Sequence, residues 1–289
     1  MRIALLFNKD RDDTTGCYFE RVLKKSNLEF KHFPVEGFKK VRERFDLYLR
    51  IDHGDYKFDI SKRLHPAVFL AIDTHLKKPY KKILHQAKHY DFVFASQKEG
   101  AEKLSQDLKR KVFWLPLACE PEIHKRENIE KRYDVGFVGS FGGKGSLRED
   151  ILLTVKREFP NSFIGKAHYT EMSKIYSSSK IGLNCSLNND INMRMFEILS
   201  CGTMLLTNRI KDNGFGELFV ENRHLIVYNS KEELIGLIRY YLENDRERET
   251  IARSGYDLAI NYHTYKDRLS KMFAIIRQWD EDRFRDLKL

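Results

Sequence analysis

The chain's 289 residues leave room for one large domain or two modest ones. Its 42% hydrophobic and 33% charged content belongs to a globular protein and excludes a disordered one. The net charge of +10 attracts anions without naming one, because Asp and Glu lie between the lysines and arginines nearly everywhere and no dense basic run appears.

In chain order, an apolar strand over residues 2–7 runs into the polar loop Asn8-Lys9-Asp10-Arg11-Asp12-Asp13. Its apolar part, Ile3 to Phe7, is too short for a signal peptide. Further strands are predicted over 28–33, 45–51, 67–72, 92–95 and 112–115, with helices over 17–27, 79–89 and 98–108. This alternation predicts an α/β domain with a largely parallel sheet. Residues 116–132 break the pattern with Pro116, Pro121 and the charged run Lys125-Arg126-Glu127-Asn128, and a domain boundary is placed there. A second series follows, with strands over 133–138, 162–164, 181–184, 204–207 and 225–227. Its helices are predicted over 147–159, 171–178, 192–201, 231–243 and 246–261, and a last amphipathic helix runs over 265–289. No apolar run approaches the roughly 18–20 residues that span a bilayer. Cys17, Cys119, Cys185 and Cys201 are far apart and form no CxxC pair, so they read as free thiols of a reducing compartment, and no zinc-ligand spacing occurs.

Four segments carry chemistry. Between the strand over 181–184 and the one over 204–207, a polar loop leads to a helix opening near Asn192 and stopping at Gly202. A helix opening beyond a strand end offers N–H groups and a positive dipole end that suit a diphosphate. Arg194 and Glu197, three apart, share a face; one can meet phosphate and the other ribose hydroxyls, or the two form a surface ion pair on a routine helix. The second segment, Val138-Gly139-Ser140-Phe141-Gly142-Gly143-Lys144-Gly145-Ser146-Leu147-Arg148, reads as a strand entering a Gly-rich loop, with Ser146 as N-cap. It departs from the Walker A pattern and from GxGxxG, so it is either a phosphate loop with Lys144 and Arg148 or a flexible turn. Third, the strand over 67–72 delivers Asp73 and His75 at its carboxyl end, as general bases towards an acceptor hydroxyl or as a helix cap beside a solvated histidine. Fourth, Trp114-Leu115-Pro116-Leu117-Ala118-Cys119-Glu120-Pro121 is a hinge strand or a plain linker.

Together these segments resemble the glycosyltransferase group 1 superfamily and, within it, the spore-maturation-type (CgeB-like) glycosyltransferases. The resemblance covers residues 67–269 and rests on Asp73-Thr74-His75, Tyr90-Asp91-Phe92-Val93-Phe94-Ala95-Ser96-Gln97-Lys98 and Trp114-Leu115-Pro116-Leu117-Ala118. It continues through Val138-Gly139-Ser140 before Arg148, Arg194-Met195-Phe196-Glu197, Cys201-Gly202-Thr203-Met204-Leu205-Leu206-Thr207, Arg248 to Gly255, and His263-Thr264-Tyr265 with Arg268. It implies a GT-B fold: two Rossmann-like doubly wound domains facing a cleft, with a C-terminal helix returning to the N-terminal domain. The expected limits are 1–118 for an acceptor domain, 119–265 for a nucleotide-sugar domain and 266–289 for the returning helix. By resemblance Glu197 holds the donor ribose, Arg148 and Arg194 lie near the diphosphate, and the Gly139 loop lies beside it. Many retaining relatives carry a second glutamate eight residues before the ribose glutamate; that position is Asn189 here, which leaves retention or inversion open.

The function expected is transfer of a sugar from a nucleoside-diphosphate sugar, a UDP-sugar as first choice, to an acceptor hydroxyl. Gly139, Ser140, Lys144, Arg148, Asn192, Arg194 and Glu197 are the expected donor-binding residues, with Asp73 and then His75 as catalytic base. No cofactor and no metal are expected, since fixed cations can take a divalent ion's place. The acceptor is a glycan, a lipid-linked molecule or a protein, with no nucleic acid, in the cytoplasm, with peripheral contact at the inner membrane face admitted. A nucleotide-sugar epimerase of the same fold is the alternative. A basic nucleic-acid-binding protein is the remote one, since no helix-turn-helix, RRM or zinc-finger pattern occurs.

Overall fold

The computed structural model describes residues 1–40 and 42–289. Its elements begin with β1 (Arg2–Leu6), α1 (Thr15–Lys24), β2 (Glu29–Phe33), β3 (Leu47–Ile51), β4 (Ala67–Ala71), α2 (Lys77–Ala87), β5 (Phe92–Ala95), α3 (Lys98–Leu108) and β6 (Phe113–Trp114). They continue with β7 (Tyr133–Val138), α4 (Leu147–Glu158), β8 (Phe163–Gly165), α5 (Tyr169–Ser177), β9 (Ser179–Asn184), α6 (Met193–Ser200) and β10 (Met204–Asn208). The last are α7 (Phe215–Leu218), β11 (Ile226–Tyr228), α8 (Lys231–Glu243), α9 (Asp245–Tyr262), α10 (Tyr265–Trp279) and α11 (Glu281–Phe284). The chain divides into two compact units, Met1–Leu117 with Tyr265–Leu289, and Ala118–Thr264.

The first unit holds a parallel sheet in the order β2-β1-β3-β4-β5-β6. Strands β4 and β5 are buried throughout and read as unbroken apolar runs rather than alternating ones, while β3, equally buried, carries Arg50 in an ion pair with Asp59 at 2.6 Å. One sheet face packs Ala4, Leu6, Phe69 and Val93 against Tyr80 and Ile83 of α2 and Leu104 of α3. Elsewhere in this unit α10 packs on α1, where Tyr265 lies 5.0 Å from the Tyr18 ring and 5.6 Å, edge-on, from Phe19. Arg268 of α10 donates Nε to the Pro116 carbonyl at 2.8 Å, so the C-terminal helix is fastened into the first unit. The helix predicted over 265–289 is in fact two. Asp280 leaves the helical region at φ −152° and its carboxylate accepts the Arg283 N–H, which stops α10 and caps α11.

The second unit holds a parallel sheet in the order β11-β10-β9-β7-β8. Counted from its own first strand the order is 2-1-3-4-5, as for the first five strands of the other sheet. The Ser146 hydroxyl caps α4 by accepting the Glu149 N–H at 3.2 Å, and Gly202, at φ +71°, turns the chain out of α6 into β10. All four cysteines are free and buried. No described helix is long and apolar enough to cross a membrane.

Candidate active site

In the second sheet the connections leave β7 towards β8 on one side and β9 on the other. A ligand crevice is expected where such connections diverge, at the carboxyl ends of β7 and β9. Two arginines are fixed there. Arg194, in the first turn of α6, sends Nε to the Val138 carbonyl at 2.9 Å and Nη1 to Asn184 Oδ1 at 3.2 Å. Its guanidinium lies 4.6 Å from the Phe137 ring centroid. Arg148, in the first turn of α4, gives Nε and Nη2 to the Cys185 carbonyl at 3.0 and 2.6 Å. Each therefore uses part of its five-donor fork on a strand-end group and keeps N–H groups in reserve. Among the described residues neither guanidinium has a carboxylate at ion-pair distance. Burial first, and then the charge of Arg194, hold the Arg148 guanidinium below its ordinary value. Two like charges, brought together and left without a counter-ion, make a site for an anion.

The surrounding backbone is shaped to this pair. Gly139 follows β7 at φ +153°, and a Cβ there would lie 2.4 Å from Arg194 Nη2, so only glycine lets the guanidinium lie this close. Ser140 and Lys144, on the loop that follows, are exposed. Asn192 is the N-cap residue of α6, but its side chain does not cap the helix, and its Oδ1 is buried without a hydrogen-bond partner. The positive dipole end of α6 thus opens onto the same sheet end without a side-chain cap. Asn189 takes a positive φ of 61°, and its amide binds the Lys211 backbone in both directions, at 2.6 and 2.8 Å. The position of the retaining relatives' glutamate is therefore a tethered loop residue.

The surface ion pair between Arg194 and Glu197 does not form. Arg194 turns to the strand ends, and Glu197 is 8% exposed. Glu197 Oε1 lies 3.6 Å from Nε2 of the fully buried His124. His124 Nδ1 accepts the Glu120 N–H at 3.1 Å, which puts the ring's own proton on Nε2, facing the carboxylate. Burial pushes His124 down to about 3, so the ring is neutral at neutral pH. Sequence reasoning missed His124 because it is a lone histidine in a stretch read as a linker, with no periodicity to mark it.

Residues 126–274 match the family model described as glycosyl transferase-like. The chain belongs to that family. Curated proteins give no sequence match. Among solved structures, HepE of Anabaena, with UDP and glucose bound, superposes with a TM-score of 0.70 at 11% identity, over 96% of this chain and 100% of that one. Sucrose-phosphate synthase of Thermosynechococcus elongatus gives 0.69 at 10% identity, over 97% and 99%. T4 phage BGT, solved with its UDP-glucose substrate, gives 0.61 at 14% identity, over 98% and 99%. At such identities the likeness is one of fold, and the fold is GT-B.

In the first unit of this glycosyltransferase, Asp73 and His75 follow β4. Neither Asp73 nor Thr74 caps α2, whose N-cap residue is Leu76, and His75 Nδ1 is buried without a hydrogen-bond partner rather than solvated. The loop is held by Asp52, which no motif marked. Its carboxylate accepts the Ile72 N–H, the Tyr56 hydroxyl and the Gly54 N–H, each at 3.0 Å. Burial, and then the charges of Asp52 and Asp73, raise the Tyr56 hydroxyl far above its ordinary value. The structure thus gathers Gly139, Arg148, Asn192 and Arg194 at one sheet end, with Glu197 one turn further along α6. It carries Asp73 and His75 on the other unit.

Proposed function

We propose that this glycosyltransferase moves a sugar from a UDP-sugar to an acceptor hydroxyl, with the donor held by the second unit. The observation that carries the reading is the pair Arg148 and Arg194, adjacent at the switch point of the sheet and lacking a counter-ion. The UDP and UDP-glucose bound in HepE and T4 phage BGT support the choice of nucleotide. As the glycosidic bond breaks, negative charge builds on the departing UDP, and Arg148, Arg194, Lys144 and the opening of α6 stabilise it. Gly139 and Ser140 bring backbone up to the diphosphate. Glu197 accepts hydrogen bonds from the ribose hydroxyls, with the neutral His124 ring 3.6 Å behind its carboxylate.

On the first unit, Asp73 takes the acceptor proton if the reaction inverts, with His75 as second candidate, and orients the acceptor if it retains. No metal is required in this scheme, and activity survives EDTA. Within the superfamily the chain is assigned to the CgeB-like, spore-maturation type. The epimerase alternative is set aside, since the family match is to transferases.

The test is a thermal-shift screen against UDP, GDP, ADP, CMP and dTDP, with Glu197→Ala as control. A ligand at 100 times its dissociation constant stabilises the fold by about 2.7 kcal/mol. A shift with UDP that the variant loses supports the donor site and the ribose role together; no shift with any nucleotide overturns both.

A further inference from the structure

Residues 74–90 contain Lys77, Lys78, Lys81, Lys82 and Lys88 and not one Asp or Glu. This window departs from the interspersed charge of the chain as a whole. Its lysines lie on α2 and at its C-terminal end, and all five are exposed. Among the described residues none of them makes an ion pair or a side-chain hydrogen bond. The arrangement works against the helix. Lys77 and Lys78 occupy the first turn, at the positive dipole end, with no acidic residue to offset them. Lys77 and Lys81, like Lys78 and Lys82, are four apart and repel on one face. The neighbouring α3 shows the ordinary pattern, with Lys98 and Lys103 among Glu99, Glu102 and Asp107.

A second segment extends the cationic face. Gln86 of α2 donates Nε2 to the Tyr56 and Phe58 carbonyls, both at 3.2 Å, which lays residues 56–58 along the helix. Lys57 of that stretch is exposed, as are Lys62 and Arg63 further along the chain, and Lys82 reaches over the Tyr56 ring. Of the carboxylates nearby, Asp59 is bound by Arg50 and Tyr90 and Asp91 by His65, Asp107 accepts the Tyr80 hydroxyl and Asp55 the Lys57 N–H, and Asp73 lies half-buried four residues before Lys77.

We propose that this face is the docking surface for a phosphodiester polymer, and that the acceptor of the transfer is such a polymer. The second clause rests on the function proposed above; the first does not. Positions 77 to 88 extend over roughly 16 Å of helix, so one small anion cannot meet all the lysines, whereas a chain of phosphates can. A membrane surface fits less well. The large exposed apolar side chains among the described residues, such as Leu147, Tyr262 and Trp279, all lie off α2 and off residues 56–63, so the face offers charge with nothing to insert. The helix begins two residues after His75, which sets the face beside the residues proposed to serve the acceptor.

The experiment measures binding of a labelled oligothymidylate to the full chain across a salt series, with no nucleotide sugar present. Its result therefore stands whichever way the donor reading falls. The helix variant is Lys77→Gln, Lys78→Gln, Lys81→Gln and Lys82→Gln together. The control is Lys125→Gln, Lys156→Gln, Lys266→Gln and Lys271→Gln, exposed lysines off this face that remove the same charge. A third variant replaces the four helix lysines with arginine, and all are checked for a melting temperature no lower than the parent's. The helix variant is expected to bind at least tenfold more weakly at low salt and to flatten the slope of log affinity against log salt by about 3. The control and the arginine variant are expected to bind like the parent. Equal loss in helix variant and control reduces the effect to net charge and overturns the proposal. So does a parent chain that ignores the oligomer, or one that binds only phosphatidylglycerol vesicles, which would hand the face to a membrane.

Discussion

The two sheets share a strand order and differ in what closes their carboxyl ends. In the first sheet the end of β3 carries Asp52, whose oxygens accept two backbone N–H groups and a tyrosine hydroxyl at 3.0 Å, so the anion there is satisfied from within the chain. In the second sheet the ends of β7 and β9 are met by Arg148 and Arg194, which bind carbonyl and amide oxygens and leave their charge uncompensated. Topology supplies the crevice in both cases. The side chains decide whether the chain or a ligand fills it, and with what sign of charge. An internally satisfied edge adds stability, while an edge with two unpaired cations lowers it and keeps binding energy for a ligand.

The sharpest way to break this comparison is to remove the two cations. Arg148→Met with Arg194→Met is expected to weaken UDP by about 3–6 kcal/mol, since a hydrogen bond to a charged group contributes about 1.5–3 kcal/mol. Calorimetric titration reads this directly, and Asp73→Asn should leave the same affinity untouched. Full UDP affinity in the double variant would end the assignment of the donor to this sheet end.

Next in size is the acid limb of stability, which tests whether His124 is held neutral beneath Glu197. Its folded value, about 3, lies below the unfolded one near 6.5. Between those values the unfolded chain binds a proton that the folded chain refuses. Stability is therefore intact above pH 6.5 and is lost as pH falls towards 3, by on the order of 4 kcal/mol from this residue and about 2 kcal/mol of it by pH 5. His124→Gln can still accept the Glu120 N–H and has no such proton. Denaturant melts at pH 7 and pH 5 should show a smaller loss in the variant than in the parent. Equal losses would mean that the ring is solvated or already charged.

The satisfied edge gives a smaller effect of the opposite kind. Asp52→Ala leaves the half-buried Ile72 N–H and the Tyr56 hydroxyl without their acceptor and should cost about 1–2 kcal/mol of stability. UDP affinity should not change. A variant as stable as the parent that binds UDP poorly would reverse the roles given to the two sheet ends.

What the sequence disclosed follows the range of the forces involved. Strands such as β4 and β5 are legible because burial on both faces writes an uninterrupted apolar run, and the cap at Ser146 because it acts across three residues. Arg194 and Glu197 were legible as a motif, though not in their division of labour: their spacing allowed an ion pair, and only the distant carbonyl of Val138 and the buried His124 separate them. Asp52 and His124 were illegible, since each works through groups brought up by the fold from elsewhere in the chain. The short α7 and the break at Asp280 fell below the length at which periodicity can be read. The acid-free stretch from 74 to 90 is legible in the sequence itself but leaves no mark on the net charge of the whole chain.

The smallest expected effect separates stability from binding within the second sheet end. Gly139→Ala places a Cβ 2.4 Å from Arg194 Nη2 at a backbone φ of +153°. The obstacle is the tip of a flexible side chain, so the fold survives by moving the guanidinium, and the strain of the backbone costs about 1 kcal/mol. The displaced guanidinium can no longer hold both the Val138 carbonyl and its ligand position. UDP affinity should therefore fall by more than the stability lost, whereas Gly143→Ala, where a Cβ meets nothing within 4 Å, should change neither. If Gly139→Ala costs stability but leaves UDP binding intact, the glycine serves only its own turn, and the close approach of Arg194 is packing rather than preparation for a diphosphate.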